Sequence, residues 1–514
     1  MIATNIRRLS LYLVLAFASV SGALTWWQVL DAQQLAARPD NPQVIAAHRS
    51  LPRGSIFDAR GQLLASSQVL DGVSTRTYTD AAFTHVIGYA SLRYGATAVE
   101  RAWDDLLTGR ADPNPLRDLL NRILARQPDE HDLTLTIDKR LQDFAQAQLG
   151  SNVGAVVAID PRTGAILAMV SSPTYDPTGF SGNPDLAQAA FDAVAAGQAN
   201  PFLDRSRQGQ YVPGSIMKVL TASAALDSGA ITPQTTFPDQ PKQEAVGFVV
   251  NGFTIREHDL GSVKPALWPL SEALQVSSNI FFAHVGLEVG ASRFLDYARR
   301  FGFCSPLRIG SAQRGLPVDP SYLSQASGDG CGPFVDEVEL ASAAFGQGRD
   351  SVTPLQMALL AATVANGGVL PQPFVVRDLR AHAAGSLDGP DATVLETYGG
   401  AAGSRAISTQ AAAQVRSAMV DAVSGPIGIH YAGAGAVSRY GVSGVLTAGK
   451  TGTAERGPGL APHSWFIGFA PAQDGSVPTI AIAVIVEGGG TGSGHAAPIG
   501  GSVMAEWLKL TAGG

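Results

Sequence analysis

The hydrophobic pattern opens with Leu9 to Trp27, an uncharged run of nineteen residues behind Arg7-Arg8. As a helix this run spans about 28 Å, enough to cross a bilayer core. Ser21-x-Ala23 could pass for a signal-peptidase site, but the length of the run and Trp26-Trp27 at its outer edge favour an uncleaved anchor. The pattern therefore predicts a cytoplasmic tail over 1–8 and a single-pass transmembrane helix over 9–30, with the rest of the chain outside the membrane. Residues 31–150 change character. A polar Ala/Gln/Asp linker leads to Arg53-Gly54, then His85-Val86-Ile87-Gly88-Tyr89 and a helical stripe through Val99, Trp103, Leu106 and Leu107. This stretch reads as a small non-catalytic pedestal, with Arg53 and Asp58 as an ion pair joining it to the catalytic domain.

From 151 to 514 the two periods mix. A hairpin is predicted over 155–170, helices near 188–198, 215–228 and 271–301, and a helix over 408–423 with Val415, Met419 and Val423 on one face. Strands follow at 463–469 and 480–486, then a closing helix near 501–511. The fold class is α+β.

Composition narrows the function. The chain has 514 residues, 45% of them hydrophobic, and a net charge of −7. That is material for a large core, and it offers no basic stripe for nucleic acid. The nine histidines are scattered without an H-E-x-x-H or a Cys cluster, so no metal or other cofactor is expected. Cys304 and Cys331 fall in the external part. Two readings stay open there: a disulfide in an oxidising compartment, or two buried thiols.

The chemistry lies in three short motifs: Ser215-Ile216-Met217-Lys218, Ser277-Ser278-Asn279 and Lys450-Thr451-Gly452. Each alone is weak, because Ser-x-x-Lys can be a solvated helix face and Lys-Thr-Gly an ordinary turn. The ordered set, with gaps of about sixty and about one hundred and seventy residues, describes a serine acyl-transfer site. Lys218 lies one helical turn from Ser215 and can take its proton if burial or nearby cations lower its pKa. Pro213-Gly214 place Ser215 at a helix start, where unpaired N–H groups favour developing negative charge. Gly444 to Thr451 also satisfies the phosphate-loop pattern G-x-x-x-x-G-K-[ST]. Its flanks do not. Residues 432–444 are Gly- and Ala-rich rather than a buried strand, and Gly452, Gly457, Pro458, Gly459 and Pro462 forbid the helix that would have to come next.

The motif set belongs to penicillin-binding proteins and class A β-lactamases, and this chain resembles a class B penicillin-binding protein. Tyr211 to Ser215 resembles that family's lead-in to its nucleophile, Gly154 to Asp160 with Thr163 to Met169 its opening hairpin, and Arg53 to Asp58 with Arg60-Gly61 its N-terminal signature. Thr353 to Ala358 and Lys450 to Glu455 add further matches. Departures are small: Val212 replaces a frequent proline, Ala59 interrupts the run after Asp58, and Ser424 to Ile429 replaces a frequent Gly-Thr-Gly.

The resemblance implies a penicillin-binding transpeptidase domain over 151–514, a five-stranded antiparallel sheet flanked by helices with Lys450 on an edge strand. It implies a serine D,D-transpeptidase of the bacterial cell membrane that cross-links peptidoglycan stem peptides ending in D-Ala-D-Ala and is acylated by β-lactams. The catalytic residues would be Ser215, Lys218, Ser277, Asn279 and Lys450. Thr451, Gly452 and Thr453 would bind substrate, and the backbone N–H groups of Ser215 and Thr453 would hold the oxyanion. A polytopic glycosyltransferase of the shape, elongation and division type is the partner the resemblance suggests. About 120 residues before the main domain are too few for a glycosyltransferase domain of its own.

Two rival functions fit the chain less well. A β-lactamase needs a water-activating Glu ahead of an Asn, and Glu337-Val338-Glu339-Leu340-Ala341 lacks that Asn. A catalytically minor penicillin-binding sensor or scaffold would be favoured by loss of a catalytic letter, and none is lost.

Overall fold

The computed structural model describes residues 2–27, 52–70, 73–124, 129–260, 263–324, 326–327, 330–382, 393–400, 402–427 and 444–512. The end of the predicted anchor at 28–30, the polar linker before Pro52 and most of the Gly/Ala-rich approach to Lys450 lie outside these residues.

The predicted anchor is a helix, Ile2–Thr25, and its stretch Asn5–Thr25 is long and apolar enough to cross a membrane. From Ile6 to Trp27 its apolar side chains are exposed, Phe17 to 80%, and none of the described residues covers them.

Among the described residues two larger sheets organise the rest. The first has six strands in the order Val394–Thr397, Val376–Ala381, His131–Leu135, Ile56–Phe57, Leu63–Leu70, Val73–Tyr78. Its two outer strands at one edge thus come from far along the chain, and Val376–Ala381 pairs antiparallel with the wholly buried His131–Leu135. The N-terminal module is stitched to the main domain by shared backbone ladders. Arg53 and Asp58, expected to pair with each other, do not. Arg53 binds Glu100 at 2.8 Å and Asp104 at 2.5 Å within its own module. Asp58 instead accepts from the N–H groups of Arg60, Gln62 and Lys139, closing its own turn and tying it to the start of the helix Lys139–Leu149.

The second sheet has five strands: β1 (Gly154–Ile159), β2 (Ile166–Ser172), β3 (Ala448–Ala454), β4 (His463–Ala470) and β5 (Ile480–Val486). Their order is β3-β4-β5-β1-β2, antiparallel throughout, with β3 at the edge. Strand side chains alternate between faces, and the alternation separates two cores. Val157, Trp465, Ile467 and Ile485 join the main core with the helices Lys218–Asp227 and Pro354–Ala365. Val156, Phe466, Ile482 and Val484 pack on the other side against the helices Lys139–Leu149 and Ala496–Ala512. The stripe Leu141, Ala145, Leu149, four residues apart, explains why Lys139–Leu149 lies on this sheet although it precedes residue 151.

The helical stretch 271–301 is three helices, Leu270–Val276, Asn279–Val289 and Ala291–Arg300. Its first break falls at Ser277, which sits in the left-handed region at φ 60°. The predicted face Val415, Met419, Val423 is buried on the helix Thr409–Ser424, which packs on β3. Cys304 and Cys331 form a disulfide, so of the two open readings the paired one holds.

Candidate active site

Three elements converge at the edge of the five-stranded sheet. Gly214–Met217 is a tight 3₁₀ turn that runs into the helix Lys218–Asp227. Gly214 has φ 60°, and a Cβ there would lie 2.9 Å from the Thr453 carbonyl oxygen, so the turn carrying Ser215 abuts the end of β3. From behind, the Gly214 N–H donates to the Gly346 carbonyl at 2.9 Å. A Cβ on Gly346 would meet the Gly214 oxygen at 1.9 Å, which leaves room for glycine alone. The lead-in is held as firmly. The Tyr211 hydroxyl donates to Glu487 at 2.8 Å, and the Trp465 indole N–H to the Val212 carbonyl at 3.0 Å.

Lys218 is fully buried. Its Nζ lies 2.9 Å from Ser215 Oγ, 2.9 Å from Asn279 Oδ1, 3.2 Å from Ser277 Oγ and in contact with the Ser277 carbonyl oxygen. The Ser277 carbonyl and Asn279 Oδ1 can only accept. A neutral amine has two N–H groups and one lone pair. If those two oxygens take the N–H groups, the lone pair is left for the Ser215 hydroxyl, the arrangement of a general base. Burial pulls the Lys218 ammonium down from the ordinary lysine value to about 7, while the charge of Glu257 acts the other way. Lys450, also buried, lies 2.9 Å from Ser277 Oγ, so one hydroxyl bridges the two amines. Burial first, then the charge of Lys218, holds Lys450 well below the usual lysine range. Thr451 is half-buried and Thr453 exposed on the same edge strand.

All five sequence-predicted catalytic side chains are thus brought together, with Thr451, Gly452 and Thr453 on the strand beside them. Lys450 and Thr451 sit within a strand and not at a helix start, which removes the phosphate-loop reading. Glu337–Ala344 is a helix, and Glu339 accepts from the Val335 N–H at 2.5 Å, closing its own helix start.

Sequence reasoning missed Glu257. Its side chain is 3% exposed and accepts from the Asn279 N–H at 2.7 Å, the Ser278 hydroxyl at 2.7 Å and the Ile280 N–H at 3.2 Å. Burial pushes this carboxyl up, but the His258 hydrogen bond, the Lys218 charge and the Asn279 N–H outweigh it and hold it down to about 2. No motif surrounds Glu257, and only its position ahead of an apolar helix could have drawn attention to it.

Known proteins resemble this chain over most of its length. Residues 154–505 match the penicillin binding protein transpeptidase domain, and residues 53–132 the penicillin binding protein A dimerisation domain. The chain is 35% identical over 527 residues to the peptidoglycan D,D-transpeptidase PbpA of Mycobacterium tuberculosis, covering 98% of this chain and 99% of that protein. It is 28% identical to the peptidoglycan D,D-transpeptidase MrdA of Acinetobacter baumannii, covering 83% of this chain and 65% of that protein. Among solved structures, the penicillin G acyl-enzyme complex of penicillin-binding protein A from M. tuberculosis superposes with a TM-score of 0.74 at 35% identity, over 89% of this chain and all of that one.

Proposed function

The chain belongs to the penicillin-binding transpeptidases as a class B member, and on that premise we propose that Ser215 is the nucleophile with which it cross-links peptidoglycan and is acylated by β-lactams. The observation that supports this reading is the contact of Lys218 Nζ with Ser215 Oγ at 2.9 Å, beside two groups that can only accept.

Neutral Lys218 takes the hydroxyl proton as Ser215 Oγ bonds to the penultimate D-Ala carbonyl carbon of a stem peptide. The oxyanion is held by the backbone N–H groups of Ser215 and Thr453, each such donor lowering the barrier by about 3 kcal/mol. As the tetrahedral intermediate collapses, the C–N bond breaks. The terminal D-Ala leaves as the amine after Ser277 passes it a proton, with Lys218 and Lys450 as the groups that exchange protons with Ser277. Asn279 orients Lys218. Lys450, Thr451, Gly452 and Thr453 bind the substrate's terminal carboxylate. An amine from a second stem peptide then attacks the ester, forms the new amide and releases Ser215.

Residues 31–150 serve as a non-catalytic pedestal, except for the helix Lys139–Leu149, which packs with the transpeptidase domain of 151–514. Arg7-Arg8 before the span favour a cytoplasmic N-terminus and an extracytoplasmic active site. A polytopic glycosyltransferase in the same membrane is the expected partner, since the chain makes cross-links and its partner would supply the glycan.

The test is labelling of the full-length protein in detergent with fluorescent penicillin. A stable adduct absent from Ser215→Ala is the expected result. Rapid loss of label would point to a β-lactamase, and an adduct that survives Ser215→Ala would overturn the assignment of the nucleophile.

A further inference from the structure

Two amines share Ser277 Oγ in the cleft, and neither has a carboxylate in direct contact with its Nζ among the contacts the described residues make. A catalytic base in such a place faces a conflict. Burial alone would drive Lys218 neutral and stabilise the amine form at the expense of its power to hold a proton. Something must offset the charge as the proton arrives.

Glu257 is the group placed to do so. It reaches the site from the loop after the short strand Phe253–Ile255, and lies under the start of the helix Asn279–Val289. Its oxygens take the first two N–H groups of that helix and the Ser278 hydroxyl. The third orphan donor, the Phe281 N–H, is already satisfied by Ser278 Oγ at 3.1 Å. The helix therefore has a conventional side-chain cap without Glu257, and the buried carboxylate adds a full negative charge at the backbone of the same Asn279 whose amide oxygen touches Lys218. The charged and titratable groups facing Glu257 are Lys218, His258 at 2.9 Å, and Glu244, whose carboxyl reaches the same Ser278 hydroxyl at 3.2 Å. Those acting on the lysines are Glu257 on Lys218, and Lys218 on Lys450. Burial, and secondarily the charge of Glu257, pushes Glu244 up, so the pair holds one firm charge and one reluctant one.

We propose that Glu257 is a positioning residue of the acyl transfer, which holds Asn279 against Lys218 through the backbone and sets the basicity of Lys218 through its charge. This rests on Ser215 and Lys218 acting as nucleophile and base. It places the control of the base outside the three motifs, on a residue that touches neither substrate nor nucleophile.

The experiment follows the rate of penicillin acylation from pH 5 to 9 for the full-length wild type, Glu257→Gln, Glu257→Asp and Ser215→Ala. For the wild type the rate rises with a midpoint near 7, the value to which Lys218 is lowered. Removal of the Glu257 charge lowers Lys218 further, so for Glu257→Gln the midpoint moves to lower pH by about one unit and the plateau falls several-fold. Glu257→Asp keeps the charge, so its midpoint stays with the wild type even where the plateau falls. A Glu257→Gln plateau that falls with an unmoved midpoint would reduce Glu257 to a structural support and overturn the proposal. So would a Glu257→Asp midpoint displaced by a full unit, a result readable even if Glu257→Gln does not fold. A wild type with no Ser215-dependent adduct at any pH would overturn the acyl-transfer reading itself, and this inference with it.

Discussion

Glu100 in the N-terminal module and Lys218 in the cleft are each fully buried, yet their surroundings are opposites. Glu100 lies between Arg76 at 2.7 Å and Arg53 at 2.8 Å, and Arg53 also holds Asp104. Lys218 has a second lysine across one hydroxyl and a carboxylate that acts through Asn279. Burial raises the Glu100 carboxyl, but Arg76 and Arg53 outweigh that and leave it below its ordinary value. Burial lowers Lys218, and Glu257 offsets only part of it. A paired buried charge stays charged and fixes a shape, whereas an under-paired one gives up its proton near neutrality and becomes reactive.

Breaking the two sites should therefore give different losses. The largest effect is expected for Lys218→Met: the acylation rate by penicillin should drop about 10²- to 10⁴-fold, while thermal unfolding stays near that of the wild type, since the change removes a buried amine that is costly to hold charged. Stopped-flow labelling together with a melting curve checks both halves. Glu100→Ala should do the reverse. Leaving the buried Arg76 without its carboxylate, and Arg53 with Asp104 alone, should destabilise the protein by about 3–5 kcal/mol, read from urea unfolding, with the acylation rate per folded molecule little changed.

The module's charge cluster also has a pH signature, of the same sign as the cleft's but in a more acidic window. Because the folded value for Glu100 is depressed, its contribution is fully present above the unfolded carboxyl value of about 4.5 and is lost as pH falls below it. Urea midpoints measured from pH 6 to pH 3 should fall, and the fall should be shallower in Glu100→Gln. A smaller effect is expected at the disulfide, where Cys304 and Cys331 are 27 residues apart. Replacing both by Ser should cost at most about 3–4 kcal/mol on the chain-entropy model, without moving the pH midpoint of acylation, because the loop they close carries none of the five clustered residues.

The same contrast explains what could be read from the chain alone. Ser215 and Lys218 were legible because a single helical turn sets their spacing, and Asn279 and Lys450 because their motifs come in a fixed order. Ser277 was legible as a motif letter, though not as the left-handed break that splits 271–301 into separate helices. Glu257 was not legible, since it meets Asn279 across 22 residues of loop and helix with no recurring pattern to mark it. The ion partners of Arg53, at separations of 47 and 51 residues, were hidden for the same reason. Nor does local periodicity show that Val376–Ala381 crosses back to pair with His131–Leu135. Patterns within a turn or a strand can be read along a chain, but pairings made by the fold as a whole cannot.

That Lys218 is the base can be tested by titrating Lys218 itself. With ¹³C-labelled lysine in the full-length protein, NMR should show a resonance that titrates near pH 7 and disappears in Lys218→Met. If every lysine resonance titrated at the ordinary value of about 10.4, Lys218 would be an ammonium at neutral pH and could not be the base that activates Ser215.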